Sequence, residues 1–279
     1  MPTEIYYFSG TGNSLVVARD IAAKTNAALI PIPSVMDRER ITSEADTIGI
    51  VFPVYHAVVD GMPLILKRFA GKLDNLKSKY IFAVCTCQGW PGSAISRLQK
   101  IISSRGGGLS AGFVVVMPSN AQPSSEEARQ TRFDNWKKKL GSLTAYVMAK
   151  KSGRNETNLL FNLIVAPYTG KGRKDTVRLF EKLSGRSGLS LEELERFGDN
   201  SYRVDETCNG CGICAKVCPA HDILMKDKKP MWQNRCETCL ACINWCPKNA
   251  IHGGLAETDR IPTKYHHPDV KAADMVLWR

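Results

Sequence analysis

Cys208-Asn209-Gly210-Cys211-Gly212-Ile213-Cys214-Ala215-Lys216-Val217-Cys218-Pro219 reads C-x2-C-x2-C-x3-C-P, and the same spacing returns at Cys236, Cys239, Cys242 and Cys246-Pro247. Each cysteine of the second run lies 28 positions after its counterpart. The repeat reaches past the cysteines, because Ile223 and Ile251 each follow the fourth cysteine by five. Eight of the ten cysteines in the chain are used here.

Two-residue gaps let three sulfurs of one tight loop converge on a single inorganic cube, and the fourth sulfur must then come from elsewhere. Pro219 and Pro247 turn the chain after the last cysteine of each run, so each fourth cysteine is expected to cross to the other half. The reading therefore predicts two 4Fe–4S clusters. One takes Cys208, Cys211, Cys214 and Cys246; the other takes Cys236, Cys239, Cys242 and Cys218. The competing reading is a pair of zinc sites. Zinc usually draws on paired C-x2-C or on cysteine with histidine in a closed fourfold set, and two identical four-cysteine runs ending in Cys-Pro argue against it.

Upstream of this region, apolar runs at Ile5–Phe8, Ala28–Ile32, Thr47–Phe52, Tyr80–Val84 and Phe113–Met117 have the near-continuous hydrophobicity of buried parallel strands. Helical patterns lie between them. Leu15, Ala18 and Ala22 share one face; Leu64, Leu66 and Phe69 follow Pro63; Ile95, Leu98, Ile101 and Ile102 run up to Gly106-Gly107-Gly108. Such alternation predicts a doubly wound parallel α/β sheet. Next, Ser124 and Glu127 have capping-box spacing ahead of a stripe at Phe133, Trp136, Leu140, Leu143 and Val147, with Trp136 expected in the core. Ser190 and Glu193 repeat that spacing before Leu191, Leu194 and Phe197. Gly198-Asp199-Asn200 reads as the turn into the cysteine region, and the tail beyond Leu255 carries no clear periodicity.

Between the first strand and the first helix lies Ser9-Gly10-Thr11-Gly12-Asn13-Ser14. A phosphate can be held at such a place by free backbone N–H groups and the helix dipole, with hydroxyls and an amide adding donors. The loop has no Lys, so it is not a Walker A loop, and Leu15 stands where a third glycine would complete G-x-G-x-x-G. Taken alone, it is equally a tight strand–helix turn.

With the strand alternation, the segment Tyr7-Phe8-Ser9-Gly10-Thr11-Gly12-Asn13-Ser14 resembles the phosphate loop of flavodoxins. That resemblance implies the strand order 2-1-3-4-5 with FMN at the switch point. It also implies that two further loops enclose the flavin ring: Pro53-Val54-Tyr55-His56, and Thr86-Cys87-Gln88-Gly89-Trp90-Pro91-Gly92. Tyr55 and Trp90 are flat rings able to stack there. Cys87-Gln88 departs from the acidic or aromatic residues usual in that last loop. Cys85 is expected to be a buried strand thiol, with a reactive Cys87 as the less favoured idea. His56 is read as a satisfied side chain or as a proton donor beside the ring.

The two halves together resemble fusion proteins of anaerobes that join a flavodoxin-like domain to a small α+β bacterial-type two-4Fe–4S ferredoxin domain. Phe197–Pro219 and Pro53–Pro63 share in that resemblance. The expected division is 1–155 for the flavodoxin-like FMN-binding domain, 156–200 for a helical linker, 201–255 for the ferredoxin domain and 256–279 for a tail. The implied function is electron transfer between two 4Fe–4S clusters and FMN, in an iron–sulfur flavoprotein oxidoreductase. The alternatives are a pure electron carrier with no small-molecule substrate and a flavin-free iron–sulfur binding or sensory protein.

The 279 residues leave room for one large domain and a small one, and 43% hydrophobic residues are ordinary for a globular chain. The opening Thr3-Glu4-Ile5-Tyr6-Tyr7-Phe8 shows no secretory signal, and the apolar run from Leu159 to Ala166 is too short to span a bilayer. Ligand-type cysteines without a signal predict a reducing cytoplasm and no membrane partner. The formal charge of +11 counts the cysteines as neutral. Two oxidised clusters with their thiolates would bring roughly −4, and a flavin phosphate about two more negative charges. From Lys137 to Arg178 ten basic residues face only Glu156 and Asp175. That is first a solvated surface, and second a docking face for an acidic redox partner; no aromatic interleaving points to nucleic acid. The electron acceptor is thus a protein or a small molecule. No second dinucleotide fingerprint supports direct use of NAD(P)H.

Overall fold

Strand β1 (Thr3–Tyr7) lies between β2 (Ala28–Pro31) and β3 (Thr47–Pro53), and β4 (Tyr80–Cys87), β5 (Leu109–Val116) and β6 (Arg154–Asn155) continue beyond β3, giving the order β2-β1-β3-β4-β5-β6. All five pairings are parallel. The computed structural model describes residues 2–157, 159–254 and 264–276. They form two units. The first comprises Met1–Ser9, Asn13–Pro118 and Ser124–Pro167; the second comprises Gly10–Gly12, Ser119–Pro123 and Tyr168–Arg279.

The strands of the first unit are hydrophobic on both faces because helices cover both faces of a parallel sheet. Ile48, Ile50, Val51 and Phe52 of β3 and Ile81, Phe82, Ala83 and Val84 of β4 are completely buried. Burying each large side chain of this set contributes about 1.5–3 kcal/mol. Helix α1 (Asn13–Thr25) buries Leu15, Val17, Ala18 and Ile21; α2 (Leu64–Lys72) buries Leu64, Ile65, Leu66 and Phe69; α3 (Ala94–Ser104) buries Ala94, Ile95, Leu98 and Ile102. Pro63 is the N-cap of α2, where its missing N–H costs nothing.

Helix α4 (Glu126–Met148) buries Trp136, Leu143 and Val147, and the Trp136 indole donates to Asp20 Oδ2 at 2.7 Å. Its cap is Ser125, whose Oγ accepts from the Ala128 N–H, one residue later than the Ser124/Glu127 spacing predicts. The sheet also has a sixth strand that the apolar pattern does not announce. Polar Arg154 and Asn155 pair with Ala111 and Gly112, and Glu156 anchors the turn by accepting from the Val114 N–H and from Lys139 and Arg154.

Helix α5 (Leu159–Ser184) contains Pro167, and the division between the units falls there. In the second unit, α6 (Leu191–Arg196) opens with the full capping box: Ser190 Oγ accepts from the Glu193 N–H, and the Glu193 carboxylate accepts from the Ser190 N–H. Short pairs follow. Strand β7 (Arg203–Val204) pairs antiparallel with β10 (Ile251–His252), and β8 (Ile223–Lys226) forms a hairpin with β9 (Lys229–Trp232). Asp227 and Lys228 both have positive φ in the two-residue turn, as a twisted hairpin requires.

The 28-residue repeat of the cysteines is also a repeat of backbone. One-turn helix α7 (Ile213–Lys216) is matched by α8 (Ala241–Asn244). Positive φ falls at Gly210 and Thr238, at Gly212 and Leu240, and at His221 and Asn249, each pair 28 residues apart. Tyr265, His267, Val270 and Met275 are buried, although residues 255–263, where the expected boundary falls, lie outside the described residues. No described helix is long and apolar enough to cross a membrane.

Candidate functional site

The cysteines of the second unit line two separate small cavities. Cys208, Cys211, Cys214 and Cys246 line one; Cys218, Cys236, Cys239 and Cys242 line the other. Each cavity thus receives three cysteines from one run and the fourth from the other. Among the described residues, no three His, Cys, Asp or Glu side chains converge closely enough to hold a single metal ion. Four cysteines lining each cavity are a donor set that suits a cluster bringing its own sulfides and four irons.

Backbone N–H groups aim at these sulfurs. Asp222 N donates to Cys218 Sγ at 3.4 Å, and Ala250 N, 28 residues on, donates to Cys246 Sγ at 3.4 Å. Thr238 N does the same for Cys236 at 3.3 Å. Such donors favour negative charge on sulfur. Burial works the other way. It pushes the Cys214 thiol up to about 11, with neighbouring cysteines adding to the effect, and Cys218 up to about 12, with Asp222 and Glu237 adding. Cys236, Cys239 and Cys242 are pushed up by burial first as well. Without metal these groups stay thiols, so a cationic core is what makes them thiolates.

The two cavities differ in exposure. Cys211 is exposed, and Cys208 and Cys246 are half-buried; in the other set Cys218, Cys239 and Cys242 are buried. Beside the buried set, and not singled out by the sequence, lie two buried carboxylates. Asp222 Oδ1 accepts from Gln233 N and Arg235 N, and Asp199 Oδ2 accepts from Asn234 N. Burial, then the negative charge of Asp222, raises Asp199 to about 7.

Strands β1, β3 and β4 all finish at the same end of the first unit's sheet, because they are parallel. Ser9 and Ser14 are buried, Asn13 begins α1, and the first turn of α1 holds no acid. Ser14 Oγ and Thr86 Oγ1 share a hydrogen bond of 2.8 Å, and Asn13 Nδ2 donates to Pro118 O at 2.8 Å. Val54 N donates to Thr86 O at 2.8 Å beside Pro53, which ends β3. Tyr55 is half-buried, with its ring edge-on to Phe8 at 6.2 Å. His56 sits at φ +49, and burial lowers its pKa to about 4 against the opposing charge of Asp60.

One expectation is corrected here: Thr86 and Cys87 belong to β4, not to the loop, because the ladder with Val115 and Val116 of β5 continues that far. The loop proper is Gln88, Gly89 and half-buried Trp90. It packs on the loop after β3, since a Cβ on Gly92 would lie 2.4 Å from Ala57 O. Cys85 and Cys87 are both buried strand thiols raised by burial, Cys87 to about 11, which disfavours a reactive Cys87.

Gly10, Thr11 and Gly12 pack within the second unit. Gly12 has φ +99, and a Cβ there would lie 3.0 Å from Val270 and 3.1 Å from His267. Thr11 O accepts from His267 N at 2.8 Å. Trp245 Nε1 donates to Gly10 O at 3.0 Å. Sequence reasoning passed over Trp245, His267 and Val270, and only the cysteine next to Trp245 hinted at its importance.

Residues 200–254 match the family model described as a 4Fe-4S dicluster domain. A segment of 48 residues is 44% identical to an uncharacterized polyferredoxin-like protein of Methanocaldococcus jannaschii, covering 17% of this chain and 21% of that protein. The chain therefore spans about a fifth of the length of this curated relative. Similar solved structures include a Fusobacterium nucleatum flavodoxin bound to flavin mononucleotide (12% identity, 54% of this chain and 99% of that one, TM-score 0.36). A Streptococcus pneumonia TIGR4 flavodoxin matches at 18% identity over 51% of this chain and 99% of that one, TM-score 0.34. A Megasphaera elsdenii flavodoxin matches at 19% identity over 48% and 98%, TM-score 0.33.

The second unit thus holds a 4Fe–4S dicluster domain in residues 200–254, and the first is a parallel α/β sheet in the order β2-β1-β3-β4-β5-β6.

Proposed function

We propose that this chain is an iron–sulfur flavoprotein oxidoreductase, in which two 4Fe–4S clusters and one FMN exchange electrons. The observation that carries the reading is the crossed lining of the two cavities, three cysteines from one run and one from the other in each. The clusters would be held by Cys208, Cys211, Cys214 and Cys246, and by Cys236, Cys239, Cys242 and Cys218. FMN would be held by the loops at Ser9–Ser14, Pro53–His56 and Gln88–Trp90, together with Thr86, whose Oγ1 shares a hydrogen bond with Ser14 Oγ.

The donor chemistry of the first loop fits a phosphate. It lies before α1, whose first turn carries no acid, and its glycines let backbone N–H groups approach closely. Ser14 and Asn13 already have protein partners, so the backbone N–H groups supply most of the phosphate contacts. Tyr55 and Trp90 supply apolar rings for a flat ligand. His56, neutral above about pH 4, offers a neutral donor or acceptor and not a cation. When bound, the flavin supplies the ability to take one or two electrons, linking the one-electron clusters to two-electron chemistry. The partner is an acidic redox protein or a small-molecule acceptor, reached through the cavity of exposed Cys211, in a reducing cytoplasm.

Anaerobic purification with iron, sulfide and flavin analysis, followed by a redox titration with visible and EPR detection, tests this. About eight irons and one FMN per chain, with separate flavin and cluster transitions, are expected. Near-stoichiometric iron with no flavin bound or bindable leaves a ferredoxin-type carrier or a flavin-free iron–sulfur binding or sensory protein. Turnover of quinones or nitro compounds would establish the oxidoreductase; transfer to protein partners alone would leave a carrier.

A further inference from the structure

We infer that Trp245 is a positioning residue that ties the flavin-phosphate loop to the first cluster's ligand set, so that FMN affinity and cluster assembly depend on each other. The inference rests on the FMN reading above and concerns residues of the second unit, which includes Gly10–Gly12.

Trp245 immediately precedes Cys246, the cysteine that crosses to the cavity of Cys208, Cys211 and Cys214. Its indole is 7% exposed, and its N–H donates to Gly10 O at 3.0 Å. The ring stacks on His266 with centroids 4.2 Å apart and planes at 15°. His267, next to that partner, donates its N–H to Thr11 O at 2.8 Å, and Val270 closes over Gly12. The same short stretch is anchored twice more. Asn244 Oδ1 accepts from Tyr265 N at 2.8 Å, and Lys264 Nζ donates to Cys246 O at 2.9 Å.

Residues 244–246 and 264–270 therefore hold the carbonyls of Gly10 and Thr11. A peptide whose carbonyl is fixed has its following N–H fixed too, since the unit is planar. Bonds to Gly10 O and Thr11 O thus aim the N–H groups of Thr11 and Gly12, which belong to the loop assigned to the phosphate. Cys246 cannot reach its place at a cluster without setting the backbone that carries Trp245. Two binding events that share one ordered element are coupled, and the coupling is reciprocal.

The experiment is an FMN titration of the full chain, followed by flavin fluorescence, on three samples: wild type with clusters, wild type stripped of iron by chelator, and Trp245→Phe with clusters. Phenylalanine keeps the stack on His266 and removes the N–H. We expect Trp245→Phe to bind FMN roughly fivefold more weakly at unchanged iron and sulfide content, as loss of one buried hydrogen bond implies. Stripped wild type should be weakened at least as much. Reciprocally, saturating FMN should protect wild-type iron against the chelator, and this protection should shrink in Trp245→Phe.

Equal FMN affinity with and without clusters, or equal affinity in wild type and Trp245→Phe, overturns the inference. The stripped wild type decides the matter should the variant fail to fold. If the cluster-loaded wild type itself binds no FMN, the flavin reading fails first and the inference falls with it, an outcome visible before any variant is compared.

Discussion

Gly210 lies against Lys228 so closely that a Cβ on Gly210 would stand 2.6 Å from the Cβ of Lys228 and 2.9 Å from its carbonyl oxygen. The turn of the β8–β9 hairpin crosses the first cysteine loop at this point. In the second copy of the repeat the matching residue is Thr238, also at positive φ, so the backbone shape is common to both loops and the need for glycine is not. Gly210→Ala should therefore destabilise the second unit by roughly 1–3 kcal/mol, combining left-handed strain with backbone overlap. Thermal melting and iron content should both report it. Thr238→Gly should leave iron content unchanged, and a loss there equal to that of Gly210→Ala would contradict the account.

Crossed ligation makes a prediction opposite to the one sequence neighbourhood suggests. Cys218 follows Cys214 by four residues but lines the cavity of Cys236, Cys239 and Cys242. Cys218→Ala should cost that buried cluster, or leave it with three irons, and spare the cluster of Cys208, Cys211 and Cys214. EPR of the reduced protein separates the two; loss of the exposed cluster instead would exclude the crossed set.

The neutral state of His56 gives a pH dependence with a definite sign. Its folded pKa, about 4, lies below the ordinary value of 6.5, so between these values the unfolded chain binds the extra proton. Stability from this group is complete above pH 6.5 and is lost as pH falls toward 4. For a half-buried ring the loss is roughly 2 kcal/mol. His56→Asn keeps a residue suited to φ +49 and removes the titration. The difference in melting temperature between variant and wild type should grow in the variant's favour from pH 7 to pH 4; a constant difference would refute the assignment.

Cys85 and Cys87 should be chemically silent in the folded chain. Burial raises both, Cys85 well above the usual range and Cys87 to about 11, so at pH 8 roughly one Cys87 in a thousand is a thiolate. Peptide mapping after alkylation at pH 8 should find both unmodified in native protein and both modified in denaturant. Rapid native labelling of Cys87 would restore it as a reactive group.

Glu156 closes the added edge strand through an ionic cluster. Burial alone would raise its pKa, but hydrogen bonds from Lys139 and Val114, with Arg154 behind them, lower it overall. Its contribution is thus present above the unfolded carboxylate range and is lost as pH falls through the folded value. Glu156→Gln should cost roughly 1–3 kcal/mol at pH 7 and progressively less in acid, measured by denaturant unfolding. An unchanged midpoint at pH 7 would show that β6 does not depend on it.

Much of this was legible in the residues. Buried parallel strands must be apolar on both faces, so β1 to β5 stand out as short Ile- and Val-rich runs, and the 2-1-3-4-5 order that the flavodoxin resemblance implied is the order observed. Strand ends were less legible: β4 runs on to Cys87 because backbone pairing with β5 continues where the apolar pattern gives no sign of it. Strand β6 was invisible for a related reason. Two polar residues carry no period, and their place is set by Glu156 and the ladder of Ala111 and Gly112.

The cysteine spacing by itself determined two like sets of candidate ligands, because three thiols at two-residue gaps have few other uses, and the 28-residue period carried their symmetry. Only the tertiary structure decided what holds those sites in place. Asp199 and Asp222 beside the buried set, Trp245 on Gly10, and His267 and Val270 on Thr11 and Gly12 are contacts between residues up to 258 positions apart. Local spacing encodes a ligand set because its members fold within one loop. A clamp between distant segments depends on how the chain returns, which burial and hydrogen bonding determine only once the whole fold has formed.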